Sequence, residues 1–143
     1  MLPNQIEQKG SVVNVETRLA SRLAGATVAV TGGFGLVGSR IVHKLRALGA
    51  EPVAVGKLDA YEPSVSSNLF GISPTDADVI AGDITDAALI DHVISRSDYV
   101  IHAAALADVA GCTRNPTAAL RDNVTGTRPW CPSSDTSRKV GRG

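Results

Sequence analysis

Apolar and polar residues fall into short blocks along this chain, and the period of the blocks changes. The run Thr-Val-Ala-Val at 27–30 is short and β-branched and stops at Gly32-Gly33, which predicts a buried strand. "LVGSRIVHKLRALG" then places Val37, Ile41, Leu45 and Leu48 on one helical stripe, ended by Gly49. "PVAV" at 52–55 follows within a few residues and completes a strand-helix-strand unit. The stretch 56–76 is rich in Pro, Ser, Gly and Asp and predicts a loop with one irregular helical turn. "ADVIAGD" predicts a third strand, and "TDAALIDHVI" a helix capped by Thr85 or Asp86. "DYVIHAAA" at 98–105 predicts a fourth strand, apolar enough to be buried on both faces. A further helix opens near Pro116 in "NPTAALRDNVTGT".

Strands and helices that alternate in this way define an α/β fold: an incomplete doubly wound parallel sheet of about four strands with flanking helices. The alternation spans 25–127. Residues 1–24 form a weakly periodic, flexible lead-in with a short helix around "VETRLASRL". The last sixteen residues, 128–143, hold two prolines, two glycines and four basic side chains, a composition that predicts disorder.

Composition narrows the partners. The 14 basic and 14 acidic residues cancel, which argues against a nucleic-acid or membrane-surface footprint. Aromatic residues make up 3%, too few for base-stacking platforms. Cys112 and Cys131 form neither a disulfide framework nor a metal-binding pattern. No segment has the length of a signal peptide's apolar core or of a membrane span, and a cytoplasmic location is expected.

Chemistry concentrates in "TGGFGLVG". A helix N-terminus can hold phosphate through free N–H groups and the positive end of the helix dipole, provided no Cβ blocks the approach. Gly32, Gly33, Gly35 and Gly38 satisfy both Gly33-x-Gly35-x-x-Gly38 and Gly32-x-x-Gly35-x-x-Gly38, between a predicted strand and a predicted helix.

Together with "GDITD", "VIHAAA" and "NPTAALRDNVTGT", in that order, the turn resembles the extended short-chain dehydrogenases/reductases, the NAD(P)-dependent nucleotide-sugar epimerases and dehydratases. The resemblance covers 26–127 and implies a Rossmann-like domain that binds NAD or NADP. It assigns the pyrophosphate to Gly32, Phe34, Gly35, Leu36 and Gly38, and the adenine to Asp83 and Ile84. Ala103, Ala104 and Ala105 would line the cofactor at the end of the fourth strand, where small side chains let it lie close. It implies a structural role for Asn123 and places Asp122 at a polar position toward the cofactor. His102 is expected to be a satisfied core residue without a catalytic role.

The chain departs from the family pattern in two places. An acidic residue for the adenosine ribose is expected about 20 positions past the glycines, but Gly56 stands there, with Lys57 next and Asp59 beyond. Either Asp59 reaches back, or the carboxylate is missing and Lys57 eases NADP binding, so that NADP is tolerated at least as well as NAD. The family's chemistry also needs Tyr-x-x-x-Lys. Tyr61 is followed four positions on by Val65 and Tyr99 by Ala103, so no catalytic residue is assigned. The composition after 127 is that of coding sequence read out of frame, which suggests a truncated or frame-shifted product. A short protein of this length, acting as a dinucleotide sensor or partner subunit, and a non-functional fragment are the alternatives. Without a neighbour, the fourth strand would be an exposed apolar edge prone to self-association.

Overall fold

The computed structural model describes residues 9–60, 62–65, 67–68, 71–73, 75–76 and 78–130. Four parallel strands form one sheet in the order β3-β2-β1-β4. They are β1 (Thr27–Thr31), β2 (Glu51–Gly56), β3 (Val79–Ala81) and β4 (Tyr99–His102). Helix α1 (Lys9–Leu23) precedes β1, α2 (Leu36–Ala47) joins β1 to β2, and α4 (Ala87–Ser95) joins β3 to β4. The β2–β3 connection carries a 3-10 turn at Leu58–Ala60 and the single turn α3 (Pro63–Val65). After β4 come α5 (Val109–Arg114), α6 (Pro116–Leu120), a π-type turn at Arg121–Thr125 and a 3-10 turn at Arg128–Trp130.

The period of two along β1 sorts its side chains to two cores. Val28 and Val30 pack with Phe34, Val42, Leu45, Ala50, Ala54 and Ile72 on one face. Ala29 packs with Val55, Ile84, Ile90, Val93 and Trp130 on the other. Both faces of the central strands are therefore covered, which is the reason β1 reads as an unbroken apolar run. Helix α4 starts at Asp86, whose carboxylate accepts from the N–H groups of Ala88 (2.9 Å) and Leu89 (3.4 Å). That decides between the two capping candidates.

Four expectations change. The lead-in helix is longer than "VETRLASRL", beginning at Lys9. The buried side of α2 is Gly38, Ser39, Val42 and Leu45, whereas Val37 is 64% exposed. Strand β4 lies at the edge of the described sheet; Ile101 packs against one core and Val100 against the other, but both are only partly buried and Tyr99 is 51% exposed. Arg128–Trp130, assigned to a disordered tail, form a 3-10 turn whose Trp130 is buried; the remainder of that tail, 131–143, lies outside the described residues. Among the described residues no helix is long and apolar enough to cross a membrane.

Candidate functional site

The turn after β1 is shaped by contacts that leave no room for side chains. Gly32 has φ +69°, a conformation that L side chains rarely adopt, and a Cβ there would lie 2.9 Å from Ala104 Cα. A Cβ on Gly38 would fall 2.1 Å from the Gly32 carbonyl oxygen. The first turn of α2 thus rests directly on the turn that precedes it. This seating fixes the rotation of the helix and turns Leu36 and Val37 outward, a constraint that hydrophobic periodicity does not encode. The Gly32 N–H donates to Val55 O (2.8 Å), which ties the turn to the end of β2.

Gly35 differs from its neighbours. It is the N-cap of α2, and a Cβ on it would meet only the Gly32 carbonyl oxygen, at 3.3 Å. No side chain caps this helix, and its first turn contains no acidic residue. An uncapped, uncharged helix start behind an open glycine is the cradle a phosphate group requires. The cradle follows the end of β1, beside β4, where the direction of the parallel sheet's connections reverses and such sheets hold their ligands.

The crevice beside this cradle is bounded by the end of β4. Ala103 and Ala104 are half-buried beside Gly32, and Ala105 is exposed. Asn123 holds the loop that follows: its Oδ1 accepts from Leu106 N–H (2.7 Å) and its Nδ2 donates to Leu106 O (3.1 Å). That clamp gives the structural asparagine its physical meaning. The side chain of Phe34 belongs to the core, 3% exposed, and its ring lies 3.2 Å from where a Cβ on Gly56 would stand. Phe34 fills the space an acidic side chain at 56 would leave from, so the missing carboxylate is part of the packing.

A second region lies beyond the ends of β2 and β3, an open hollow of ≈ 450 Å³ lined by Lys57, Leu58, Asp59, Ala81, Gly82 and Asp83. Lys57 Nζ is 2.9 Å from Asp83 Oδ2 and 3.9 Å from Asp122 Oδ2. Arg121 Nε pairs with Asp122 Oδ1 at 2.7 Å. The Asp83 carboxylate also accepts from Thr85 N–H (2.9 Å) and the Thr85 hydroxyl (2.8 Å). Burial pushes its carboxyl up, but the Thr85 N–H, the Lys57 ammonium and the Thr85 hydroxyl together outweigh that and bring it down to about 2. Lys57 is therefore engaged by two carboxylates, and the free cation expected from the sequence is not there.

Ile84, paired with Asp83 in the expected adenine contact, turns into the second core and is 7% exposed. Its carbonyl accepts from the Trp130 indole N–H (3.3 Å). The structure thus brings Gly32, Gly35, Gly38, Ala103 and Ala104 together at the ends of β1 and β4, while the Phe34 side chain turns into the core and Leu36 is 62% exposed. It sets Asp83 in the neighbouring hollow and withdraws the Ile84 side chain from it. Sequence reasoning missed Lys57 as a partner of Asp83, and Trp130, whose tail carries no periodic signal. Among the described residues no group of three His, Cys, Asp or Glu could hold a metal ion.

Fold and site together define a doubly wound dinucleotide-binding domain. The model of the NAD dependent epimerase/dehydratase family matches residues 28–138, and the chain belongs to that family. A dTDP-glucose 4,6-dehydratase of Mycolicibacterium smegmatis is 36% identical over 98 residues, 68% of this chain and 29% of that protein. A UDP-glucose 4-epimerase of Haemophilus influenzae is 33% identical over 102 residues, 70% of this chain and 30% of that one. Among solved structures, the enzyme WbmF of Bordetella bronchiseptica in complex with NAD+ aligns with TM-score 0.63 and 29% identity, covering 76% of this chain and 32% of that one. The epimerase Mth375 of Methanothermobacter thermautotrophicus aligns with TM-score 0.67 and 27% identity, over 81% and 33% respectively. The chain spans about three tenths of the length of the curated relatives it matches.

Proposed function

We propose that this chain is the cofactor-binding portion of an NAD(P)-dependent nucleotide-sugar epimerase or dehydratase, holding the adenosine and pyrophosphate end of the dinucleotide. The observation that carries this is the uncapped start of α2 behind Gly35, following the end of β1 beside β4. The residues fit the group. The N–H groups after Gly35 would receive the pyrophosphate, Ala103 and Ala104 would leave room for the ribose, and Asp83 would accept from the adenine amine. When bound, the nicotinamide supplies or accepts hydride at a sugar carbon.

These 143 residues contain no Tyr-x-x-x-Lys pair to move the proton that accompanies such a transfer, so the chain alone binds without turnover. Titration calorimetry with NAD and a turnover assay with dTDP-glucose and UDP-glucose test this. Saturable binding without product is expected, and either absence of binding or measurable product overturns it. Among the described residues β4 pairs on one side only, which favours self-association, and a monodisperse monomer in sedimentation would contradict that.

The hollow favours NAD over NADP. Its lining carries one cation, Lys57, against two carboxylates, Asp59 and Asp83, with the Arg121–Asp122 pair beside Lys57, and a 2′-phosphate would add further negative charge to an already negative set. This runs against the equal tolerance of NADP expected from Gly56 and Lys57 in the sequence if Asp59 does not reach back.

A further inference from the structure

His102 is tied on both sides of its ring, and the ties have a direction. Its Nδ1 is 2.7 Å from Thr31 Oγ1, and its Nε2 is 3.0 Å from Thr127 Oγ1. Thr31 Oγ1 already accepts from the N–H groups of Ala103 (3.1 Å) and Ala104 (3.2 Å). The Ala103 N–H is shared with the Thr31 carbonyl (3.2 Å), and together with the Ala104 N–H it takes up the lone pairs of the hydroxyl, whose proton is then directed to His102 with Nδ1 as the acceptor. The far end agrees, because Thr127 spends its one proton on Asn123 O (2.9 Å) and must accept from Nε2–H. The bonds on both sides are met by a neutral, Nε2-protonated imidazole.

The chain of bonds connects parts that the cofactor crevice needs in register. Thr31 ends β1 and sits beside His102 in the sheet, one residue before Gly32. Ala103 and Ala104 are the wall of the crevice that meets Gly32, and Asn123 clamps the loop behind them.

We propose that His102 is a positioning residue for the dinucleotide: as the neutral Nε2–H tautomer it fixes the Thr31 hydroxyl that holds the Ala103–Ala104 backbone, and protonation releases that wall. The proposal rests on the cofactor reading given above. An imidazolium would bring a second proton to the Thr31 hydroxyl, which would have to turn and either give up the Ala104 N–H or leave the Ala103 N–H to the Thr31 carbonyl alone. The groups facing the ring are the Thr31 hydroxyl from β1, the Thr127 hydroxyl and the Trp130 indole, stacked at 5.9 Å and 17°. Burial lowers the imidazole below its ordinary value, and no charged neighbour contributes to that shift.

Two measurements on the full chain test the proposal. Imidazole ¹⁵N resonances, recorded without cofactor, should report the neutral Nε2–H form at pH 8 and a midpoint below 6.5, with the Ala103 and Ala104 amides moving at the same midpoint. An Nδ1–H form, or amides that do not follow, overturns it. In calorimetry, NAD affinity should fall about tenfold from pH 8 to pH 5, the loss of roughly one hydrogen bond to a charged group. His102→Phe keeps the stack on Trp130 and should bind weakly with a flat pH profile, whereas His102→Asn, whose Oδ1 can accept from Thr31, should restore affinity and stay flat. A structural histidine would show neither the flat profile nor the rescue. No binding at pH 8 with the tautomer as stated overturns the cofactor reading and the positioning role with it. Binding that is intact but independent of pH in the unaltered chain overturns the positioning role alone.

Discussion

The glycine turn and the hollow beside it are neighbours at the same edge of the sheet, yet they are built by opposite means. The turn is held by the absence of side chains: Gly32 against Ala104, and Gly38 against the Gly32 carbonyl. The hollow is held by charged side chains brought from three separate segments, Lys57 after β2, Asp83 after β3 and Asp122 beyond α6. Steric exclusion is all-or-none over a few tenths of an ångström, whereas partly exposed ion pairs contribute little and can rearrange. The turn should therefore fail abruptly under substitution and the hollow gradually.

The largest effect expected is at Gly38. Gly38→Ala places a methyl 2.1 Å from a carbonyl oxygen, and the turn can accept it only by shifting the backbone. A loss of about 3 kcal/mol is expected in chemical denaturation, at the upper end of overpacking costs. Gly35→Ala is the control that sharpens the comparison. Its φ of −88° suits any residue and its Cβ has a single contact at 3.3 Å, so the stability change should stay below about 1 kcal/mol. NAD affinity should nevertheless fall at least tenfold, because the methyl stands at the entrance to the uncapped N–H groups. Equal stability losses in the two variants would show that the turn is not organised around the Gly38 contact.

This contrast also explains what could be read from the chain in advance. The turn was legible because its requirements are local: four glycines within seven residues, a β-branched run before and a helix after. The parallel sheet with flanking helices followed from the alternation of strands and helices along the chain. The buried face of α2 was not legible, since contact with the Gly32 carbonyl rotates the first turn and exposes Leu36 and Val37 at 62% and 64%. The Lys57–Asp83 pair was not legible either. Its members are 26 positions apart and meet only because β2 and β3 pair in the register Gly56↔Ala81. Trp130 lies 46 positions from the Ile84 carbonyl it caps, in a segment whose composition pointed to disorder.

A smaller effect is expected where the hollow meets the adenosine. If two carboxylates occupy Lys57, NAD should bind more tightly than NADP, and Lys57→Gln should widen that gap by removing the cation while leaving Asp83 and Asp122 in place. A change of about threefold to tenfold, shrinking as salt is added, is the size expected for partly exposed charges. Parallel calorimetric titrations of both dinucleotides check this. Tighter binding of NADP would mean that Lys57 leaves its carboxylates for the phosphate, and the hollow would then be the adaptable region in a stronger sense than its ion pairs alone imply.

The smallest effects are those of acid on stability, and the two regions should lose it in different windows. His102, beside the turn, is lowered in the folded protein, so between its folded value and 6.5 the unfolded chain binds the proton more readily. Stability should decline as pH drops below 6.5 and level off once the folded imidazole takes up its proton. Asp83, in the hollow, is lowered from 3.8 to about 2, so its contribution is fully present above the unfolded value and lost as pH falls from about 4 to about 2. Because the Asp83 side chain is 35% exposed, solvent screening keeps this second step shallow. Urea denaturation across pH should resolve the two windows, with His102→Asn erasing the upper one and Asp83→Asn the lower. A lower step that survives in Asp83→Asn would assign acid sensitivity to other carboxylates and leave the hollow without a stabilising role of its own.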